Sequence, residues 1–328
     1  PDDVEFAIEE QLSKPISTVS PQLLGKASRV TDAAGRYIEF CKSRIDTDLK
    51  FTGLKIVLDC AQGATYHIAP SVFEELGATV ISIGVSPDGL NINENSGSTS
   101  PELLAETVLK EEADIGIAFD GDGDRVVMVD HLGNVVDGDE ILFVIASDRR
   151  RQNVDFGGVV GTSMSNLGLE QALDFLDIPF VRSAVGDRYV MRELLGRGWS
   201  LGGESSGHII CLDKTTTGDG IVSALQALSA ISRTERTLAE LTSKLNKYPQ
   251  SMVNVRITDS ADIAGNSSVQ KAVADVESKL GSKGRVLLRP SGTEPVVRVM
   301  VEGEDAAEVL KLASELAEVV EKEVGVAE

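Results

Sequence analysis

Three aspartates at alternate positions stand out in the run Asp-Gly-Asp-Gly-Asp-Arg at residues 120–125. Alternate residues of an extended chain project to one side, and glycine tolerates backbone angles closed to other residues, so Asp120, Asp122 and Asp124 can converge. Converging carboxylates repel one another unless a cation lies between them, and their hard oxygen atoms suit Mg²⁺ or Ca²⁺. Arg125 follows and keeps its positive charge in proteins. A metal beside an arginine is the combination that a phosphoryl group in transfer requires.

A solvated acidic turn and an EF-hand are the two other interpretations of this aspartate loop. The flanking runs 113–119 and 125–130 are strand-like and apolar, so the loop is held between two strands and a free turn is disfavoured. An EF-hand needs Gly at the sixth loop position and Glu at the twelfth. Arg125 and His131 occupy those positions, which excludes an EF-hand.

Composition narrows the classes of partner. The chain has 328 residues, a formal net charge of −21 and 42% hydrophobic residues, enough for two to four domains with sizeable cores. Nucleic acid and anionic membrane are disfavoured as main partners because both require basic surface. No apolar run of about 18 residues occurs, so no membrane span is expected. An anionic substrate must therefore be attracted by a local cluster of cations.

Cysteine and histidine usage indicates a cytoplasmic protein without zinc. Cys41, Cys60 and Cys211 are odd in number and far apart, as reduced structural thiols are. The three histidines lack the spacing of zinc ligands. No signal-peptide pattern appears, and the opening at Pro1 without an initiator Met is expected for a start within a longer protein.

Alternating strand and helix patterns predict an α/β fold with two consecutive three-layer α/β domains and a small α+β domain at the C-terminal end. We expect the α/β domain with the aspartate loop at 35–138, the second α/β domain at 139–248 and the α+β domain at 249–328. Residues 1–34 are predicted to be the remnant of a preceding domain. The strand–helix order of the first α/β domain predicts a parallel sheet, with ligands at the carboxyl ends of its strands.

A second chemical stretch, residues 289–298, lies between two predicted strands. Ser291 and Thr293 offer hydroxyls, and Gly292 allows close approach of backbone N–H groups to a ligand. Arg289 and Arg298 can each bind phosphate through two hydrogen bonds. No catalytic acid or nucleophile stands out, so the stretch predicts a site for a phosphate that does not react. The alternative is an ordinary hairpin with surface arginines.

The glycine-flanked loop 202–208 is the third stretch. Its Glu204, Ser206 and His208 include a carboxylate and a hydroxyl, which can accept from and donate to neighbouring sugar hydroxyls. The alternative is a tight turn with solvated polar groups. Asp187 and Arg188 begin a nearby predicted helix. Asp187 as a helix cap and Arg188 facing a ligand both stay open at this point.

Taken in chain order, 120–125, 202–208 and 289–298, the three stretches resemble the α-D-phosphohexomutase superfamily. The runs 185–190, 213–220 and 285–303 are similar to its bacterial phosphoglucosamine mutases. The resemblance covers essentially the whole chain. It implies the last three of four domains, with residues 1–34 as the end of the first. It also implies interconversion of glucosamine 6-phosphate and glucosamine 1-phosphate on the route to UDP-N-acetylglucosamine. The implied requirements are a phosphoserine, Mg²⁺ and glucosamine 1,6-bisphosphate as the intermediate.

The resemblance assigns a role to each candidate residue. The implied Mg²⁺ ligands are Asp120, Asp122 and Asp124, with Arg125 on the transferring phosphoryl group. Sugar hydroxyls would be held by Glu204 and Ser206, with His208 nearby. The phosphate that does not react would be bound by Arg289, Ser291, Gly292, Thr293 and Arg298. The implied partner is a small phosphosugar, and a homodimer is left open.

One departure from the superfamily pattern concerns the nucleophile. The phosphoserine of the superfamily lies in a Ser-His-Asn-Pro segment of the first domain, and none of His67, His131 and His208 follows a serine here. We therefore expect residues 1–328 alone to be inactive as a mutase. Two alternatives are a metal-dependent sugar phosphatase, with Asp120 as nucleophile, and a non-catalytic phosphosugar-binding module.

Overall fold

The computed structural model describes residues 2–257, 263–291 and 295–325, and the chain divides into two compact units, residues 1–36 and residues 37–328. The α-helices of the described residues are α1 (Asp2–Leu12), α2 (Ala33–Lys42), α3 (Ala69–Glu75), α4 (Glu102–Lys110), α5 (Gly138–Arg151), α6 (Leu167–Phe175), α7 (Asp187–Arg197), α8 (Gly220–Thr234), α9 (Leu238–Thr242), α10 (Ser267–Leu280) and α11 (Ala306–Val324). The strands are β1 (Lys55–Asp59), β2 (Thr79–Ile83), β3 (Ile115–Phe119), β4 (Val126–Asp130), β5 (Val135–Val136), β6 (Val159–Thr162), β7 (Phe180–Ser183), β8 (Leu201–Gly203), β9 (Ile209–Cys211), β10 (Gln250–Arg256), β11 (Gly284–Pro290) and β12 (Val296–Gly303).

The first unit has no buried side chain from residue 3 to residue 33. Phe6, Ile8 and Leu12 lie on the predicted helix α1 and are 66%, 61% and 84% exposed. A stable domain buries such side chains, because each contributes about 1.5–3 kcal/mol when it leaves water. The described part of this unit therefore lacks a hydrophobic core of its own.

A five-stranded sheet in the order β2-β1-β3-β4-β5 carries the aspartate loop. Strand β1 pairs in parallel with β2 and β3, as predicted, but β4 pairs antiparallel to β3 and to β5. The parallel pairing predicted from the strand–helix order is therefore confirmed for β1, β2 and β3, and the antiparallel strands β4 and β5 extend that sheet at one edge. A loop of six residues can close a hairpin, whereas a parallel return needs a crossover of a dozen residues or more. The aspartate loop is the hairpin turn between β3 and β4, at the carboxyl end of β3.

The second sheet repeats this arrangement in the order β7-β6-β8-β9. Strands β7, β6 and β8 are parallel, and β9 returns antiparallel to β8. The loop that carries Glu204 and His208 is the turn between β8 and β9. Both loops thus occupy equivalent positions, each at the carboxyl end of a buried strand where its hairpin begins.

The third sheet is antiparallel, in the order β10-β12-β11, and packs on α10 and α11. Val297, Val299 and Val301 of β12 form its core with Leu312 and Leu316 of α11. The fold-class prediction, two α/β layers followed by a small α+β domain, is confirmed. Among the described helices, none has the length and apolar character needed to cross a membrane.

Helices α5 and α8 both begin at the functional loops. The N–H of Gly138, the first residue of α5, donates to Ser205 O at 3.1 Å, and the N–H of Gly220, the first residue of α8, donates to Gly123 O at 2.9 Å. An α-helix rises about 1.5 Å per residue, so both C-terminal ends lie roughly 20 Å from these loops.

Buried Asp139, in the first turn of α5, predicts a pH dependence of stability. Its side chain is 1% exposed, its Oδ2 accepts a hydrogen bond from Asn166 N at 2.7 Å, and its Oδ1 has no partner among the described residues. Burial, with repulsion from Asp137, raises the pKa of Asp139 to about 7. The folded state therefore favours the protonated acid, and the stability contributed by this group is lost as the pH rises through 7.

We expect Asp139→Asn, a neutral isostere, to flatten that dependence. Between pH 5 and pH 8 the Tm of the unchanged protein should fall more than that of the variant, by about 2 °C or more. Asp174→Asn, which alters an exposed carboxylate of α6, serves as the control. Equal slopes of Tm against pH for the protein and for Asp139→Asn would show that Asp139 is ionised in the folded state.

Candidate active site

Asp120 fixes the shape of the aspartate loop. Its side chain is 1% exposed, and its Oδ1 accepts hydrogen bonds from Gly123 N at 3.1 Å and Arg125 N at 3.0 Å. Gly123 has a φ of +81°, a conformation that glycine adopts without strain, and an added Cβ would lie 2.6 Å from Thr65 Cγ2. The turn therefore depends on glycine at this position as well as on the buried carboxylate.

The three carboxylates meet as the sequence predicts. Asp120, Asp122 and Asp124 each offer an oxygen, and these atoms lie within 4.8 Å of one another. Asp124 Oδ1 is buried and has no hydrogen-bond partner among the described residues. Burial and the neighbouring charge of Asp120 raise the pKa of Asp124. A bound divalent cation would stabilise a buried carboxylate oxygen that lacks a hydrogen-bond partner and faces two more carboxylates, so the donor set fits such an ion.

Arg125 is held in place by the carboxylates. Its Nε donates to Asp120 Oδ2 at 2.9 Å and lies 3.6 Å from Asp124 Oδ1, while 36% of the side chain stays exposed. The guanidinium is thus anchored through one edge. A planar guanidinium fixed in this way can present its other N–H groups to an anion beside the carboxylates.

Backbone and side-chain contacts join the aspartate loop to the loop 204–208. Val126 N donates to Gly207 O at 3.0 Å, and His208 Nδ1 lies 3.0 Å from Asp124 Oδ2. Gly207 has a φ of +95°, and an added Cβ would lie 2.2 Å from Val126 O. The two loops therefore form one rigid surface that a larger residue at 207 would separate.

Within this surface Glu204, Ser206 and His208 differ in exposure. Glu204 Oε1 accepts a hydrogen bond from Gly186 N at 2.8 Å, and the side chain is partly exposed. Ser206 is exposed, whereas His208 is 5% exposed, with its Nε2 unpartnered within the described ranges. Glu204 and Ser206 can contact a ligand directly, whereas the buried His208 contacts the carboxylate of Asp124.

Arg289 and Arg298 are directly opposite each other on β11 and β12. The Nε atoms of both are buried without a hydrogen-bond partner in the described part of the chain. Burial, and then the charge of Arg298, lowers the pKa of Arg289. Like charges at opposed strand positions destabilise a sheet, and unpaired buried N–H groups add to that cost. An anion between the two guanidinium groups would relieve both penalties.

The remaining predicted residues lie in the β11–β12 connection. Ser291 N donates to Val296 O at 2.8 Å. Gly292 and Thr293 lie outside the described residues. The carboxylate of Glu204 is near enough to act on the pKa of Arg289, in the direction opposite to burial. Arg289 therefore lies near Glu204 of the loop 204–208.

A hydrogen-bonded contact that the sequence did not reveal holds the third sheet to the second. Arg285 donates from Nη1 to Ser163 O and from Nη2 to Ser165 O, each at 2.7 Å, and its Nε pairs with the buried Glu302. Glu302 Oε1 in turn accepts from Leu167 N at 2.7 Å. Arg285 and Glu302 are opposite each other on β11 and β12, and strand pairing of this kind has no local sequence signal.

Two further features near the loops were missed or left open. Asp187 is the first residue of α7, whose N-cap is Gly186 without a side-chain cap, so the interpretation of Asp187 as a cap is wrong. Its Oδ2 lies 3.9 Å from His208 Nε2. The Thr65 hydroxyl, beside the aspartate loop, is buried without a described partner. Thr65 follows β1 on the carboxyl side of the sheet, and this position in the sequence could have identified it as a candidate site residue.

Family models match most of the second unit. They are the phosphoglucomutase/phosphomannomutase alpha/beta/alpha domain II at residues 35–133, alpha/beta/alpha domain III at residues 137–248 and the C-terminal domain at residues 252–319.

Curated relatives and solved structures agree with these models. Phosphoglucosamine mutase of Methylococcus capsulatus is 60% identical over 317 residues, which is 97% of this chain and 71% of the relative. That of Aeromonas hydrophila is 59% identical over 321 residues, 98% of this chain and 72% of the relative. Aspergillus fumigatus N-acetylphosphoglucosamine mutase in complex with GlcNAc-6P and magnesium has a TM-score of 0.70 at 21% identity, covering 87% of this chain and 69% of that one.

A phosphoglucomutase/phosphomannomutase family protein of Burkholderia thailandensis has a TM-score of 0.71 at 22% identity, covering 88% of this chain and 64% of that structure. At such identity the two structures show the fold alone. The identity to the curated relatives is far higher and extends over nearly the whole chain. The chain therefore belongs to the phosphoglucomutase/phosphomannomutase family, in which these relatives are phosphohexomutase isomerases.

Proposed function

We propose that this chain contributes the metal, sugar and distal-phosphate sites of an enzyme that interconverts glucosamine 6-phosphate and glucosamine 1-phosphate. One arrangement carries the proposal: the aspartate loop, with its three converging carboxylates, is hydrogen-bonded to the loop 204–208, and Glu204 of that loop is near enough to act on the pKa of Arg289. The names of the relatives at about 60% identity support the amino sugar. The boundaries at 34/35, 138/139 and 248/249 belong to this proposal. A homodimer and a cytoplasmic location stay predictions from the sequence.

In this proposal Asp120, Asp122 and Asp124 hold Mg²⁺. Asp120 Oδ2 accepts one hydrogen bond, from Arg125 Nε, and keeps a lone pair for a cation, so this contact does not exclude the metal role. When bound, the ion supplies positive charge that stabilises the charge developing on the transferring phosphoryl group. Arg125, anchored by Asp120, places its guanidinium on the same group. His208 holds Asp124 in its ligating position.

The other residues orient the sugar. Glu204 and Ser206 contact its hydroxyls, and the phosphate that does not react is bound by Arg289, Ser291, Gly292, Thr293 and Arg298. A mutase must present first one end and then the other end of the sugar to the reacting group. Glucosamine 1,6-bisphosphate, as the intermediate, carries a phosphate at each end. The Arg289–Arg298 pair would hold whichever phosphate is distant from the aspartate loop.

The group that gives and takes the phosphoryl is proposed to be a phosphoserine in a Ser-His-Asn-Pro segment, which residues 1–328 do not contain. The sugar hydroxyl attacks the phosphorus of the phosphoserine and the bond from phosphorus to the serine oxygen breaks. The sugar hydroxyl loses one proton and the departing serine oxygen gains one, so the serine is released as its hydroxyl. In the reverse sense the serine oxygen attacks the other phosphate of the bisphosphate. Phosphate is conserved on the enzyme, as isomerisation requires.

A phosphatase with Asp120 as nucleophile fits the geometry less well. Asp120 is 1% exposed, its Oδ1 accepts two backbone N–H groups, and its Oδ2 is bound by Arg125. An in-line attack needs a carboxylate oxygen that can approach the phosphorus to bonding distance. Both oxygens of Asp120 instead serve to shape the loop.

A chimera tests the proposal directly. The first domain of the Methylococcus capsulatus relative would be joined ahead of residue 1, and glucosamine 6-phosphate, Mg²⁺ and a trace of the 1,6-bisphosphate supplied. We expect glucosamine 1-phosphate to form, and to disappear when the serine of the Ser-His-Asn-Pro segment is replaced by alanine. A folded chimera that releases inorganic phosphate instead would favour the phosphatase, and one that only binds the sugar phosphate would favour the binding module.

The role of Arg298 is testable on the chain as it stands. Arg298→Ala removes a guanidinium from the distal phosphate, so glucosamine 6-phosphate should bind roughly tenfold to a hundredfold more weakly by titration calorimetry. Arg298→Lys should keep only part of the affinity for glucosamine 6-phosphate, because an ammonium cannot form the paired hydrogen bonds of a guanidinium. The affinity for Mg²⁺ in the absence of sugar is the control and should not change. Equal sugar-phosphate affinity in Arg298→Ala would remove Arg298 from the site.

A further inference from the structure

A cavity lies at the C-terminal ends of α5 and α8, the ends distant from the functional loops. Its volume is about 510 Å³, within the usual range of about 300–1,000 Å³ for small-molecule sites. Its lining includes five cationic side chains and one acidic one, Glu240. The basic pocket is defined here by those five cations: Arg150, Arg151, Arg233, Arg236 and Lys244.

The basic pocket is positively charged, whereas the chain as a whole is negatively charged. The sequence has 52 acidic and 31 basic residues, so a random patch would carry more carboxylates than cations. A concave wall lined by one sign of charge concentrates its field and raises the local concentration of the opposite ion. In a protein with a net negative charge, such a wall attracts anions to one defined place.

The cations of the basic pocket are incompletely neutralised. Arg151 and Arg233 share one buried carboxylate, Asp148, at 2.5 Å and 2.6 Å. Arg233 also reaches the exposed Asp46 at 2.6 Å. Arg150 lies 4.0 Å from a carboxylate, that of Asp177, which is 90% exposed.

The other two cations of the basic pocket, Arg236 and Lys244, are neutralised even less. In the part of the chain that the structure describes, no carboxylate lies within 4.0 Å of the charged groups of Arg236 and Lys244. Glu240, the acidic residue of the lining, is engaged by the N–H and hydroxyl of Thr237 in a helix cap. The surplus of positive charge therefore faces the cavity.

Helix ends explain some of these cations but not all. Cations in the last turn of a helix are favoured by the helix dipole, and Arg150, Arg151 and Arg233 occupy such turns. Arg236 and Lys244 lie beyond the ends of α8 and α9. The lining also includes Ser147, whose hydroxyl is buried without a hydrogen-bond partner among the described residues.

The cavity also offers apolar surface for an organic ligand. Phe143 and Leu176 line both the basic pocket and an adjoining groove of about 150 Å³, in which Phe175 is 81% exposed. We propose that the basic pocket binds a phosphorylated small molecule, with its phosphates on the cations and its organic part on this groove. The site stands apart from the loops that carry the proposed reaction and does not depend on it.

Protection of Lys244 gives a local readout. The chain would be acylated with an amine-reactive ester, with and without inorganic pyrophosphate, and the modification of Lys244 measured by mass spectrometry. We expect pyrophosphate to slow modification of Lys244, and sodium chloride of matched ionic strength to do so less. In Arg236→Ala the pyrophosphate concentration for half-protection should rise roughly tenfold.

Two controls separate this site from the others. Arg298→Ala, in the proposed distal-phosphate site, should leave the protection of Lys244 unchanged. Lys311→Ala, which removes one exposed cation from α11, should also leave it unchanged despite the same change in net charge. Adenosine diphosphate should protect at lower concentration than pyrophosphate, because its organic part adds contact with the groove.

Three results would overturn the proposal. The first is protection no greater with pyrophosphate than with matched chloride, which would reduce the pocket to general screening. The second is unchanged protection in Arg236→Ala. The third is protection by RNA or an acidic polypeptide together with none by pyrophosphate or adenosine diphosphate, which would make the pocket part of a macromolecular interface.

Discussion

Purified residues 1–328 should form no glucosamine 1-phosphate when supplied with glucosamine 6-phosphate, Mg²⁺ and a trace of glucosamine 1,6-bisphosphate. Three parts of the proposed site are present, but residues 1–328 contain no Ser-His-Asn-Pro segment, in which the phosphoserine is proposed to lie. Water cannot take its place, because attack by water gives hydrolysis without isomerisation. Ser206 lies in the loop 204–208, which is proposed to bind the sugar, and Ser291 lies in the β11–β12 connection, which is proposed to bind the distal phosphate. Both are proposed to bind substrate without forming a covalent bond.

The assay should follow two products at once. Glucosamine 1-phosphate reports isomerisation and inorganic phosphate reports hydrolysis, and both should stay at the level of a sample without protein. Binding of glucosamine 6-phosphate, measured by calorimetry on the same sample, shows that the sites are formed. Sustained isomerisation would place the nucleophile within residues 1–328, and sustained release of phosphate would favour the phosphatase.

Asp122→Asn should weaken Mg²⁺ binding by about tenfold or more, because the affinity of an oxygen site depends on the number of charged ligands. Asp122 is the most informative of the three aspartates. It is the exposed member of the cluster, whereas Asp120 also holds the loop through its hydrogen bonds. Loss of affinity in Asp122→Asn therefore reports on the ion and not on misfolding.

Two measurements suffice for the metal prediction. Calorimetry gives the affinity, and the rise of Tm on adding Mg²⁺ gives an independent estimate, since an ion that binds only the folded state stabilises it. Glu94→Gln removes an exposed carboxylate from the neighbouring loop and should leave both unchanged. If Asp122→Asn and Glu94→Gln bind Mg²⁺ equally well, the aspartate loop is not the metal site.

The apolar patterns at 113–119 and 125–130 predicted the two strands that hold the aspartate loop, and β3 and β4 lie there. Strand direction was predicted for only part of the fold. The strand–helix order indicated parallel pairing of β1, β2 and β3, which is observed, but it gave no direction for β4 and β9, which return antiparallel after short hairpin turns. Loop length, which is visible in the sequence, was the better guide.

The convergence of the aspartates followed from local spacing alone. The placement of other residues depends on tertiary pairing, which no local pattern encodes. Arg289 faces Arg298 because of the register of β11 on β12, and Arg285 meets Glu302 through the same register. Asp187 comes within 3.9 Å of His208 only because α7 packs beside the second sheet. Such contacts need the fold before they can be identified.

The register of β11 and β12 also constrains how the protein can evolve or be engineered. Opposed like charges cost up to about 1 kcal/mol in a sheet, so a neutral residue at Arg289 or Arg298 is a local improvement in folding. Selection for thermal tolerance alone would favour such a replacement. Under the phosphate-binding role proposed for the two arginines, selection for activity would oppose it, and stability and activity would be in opposition at these two positions.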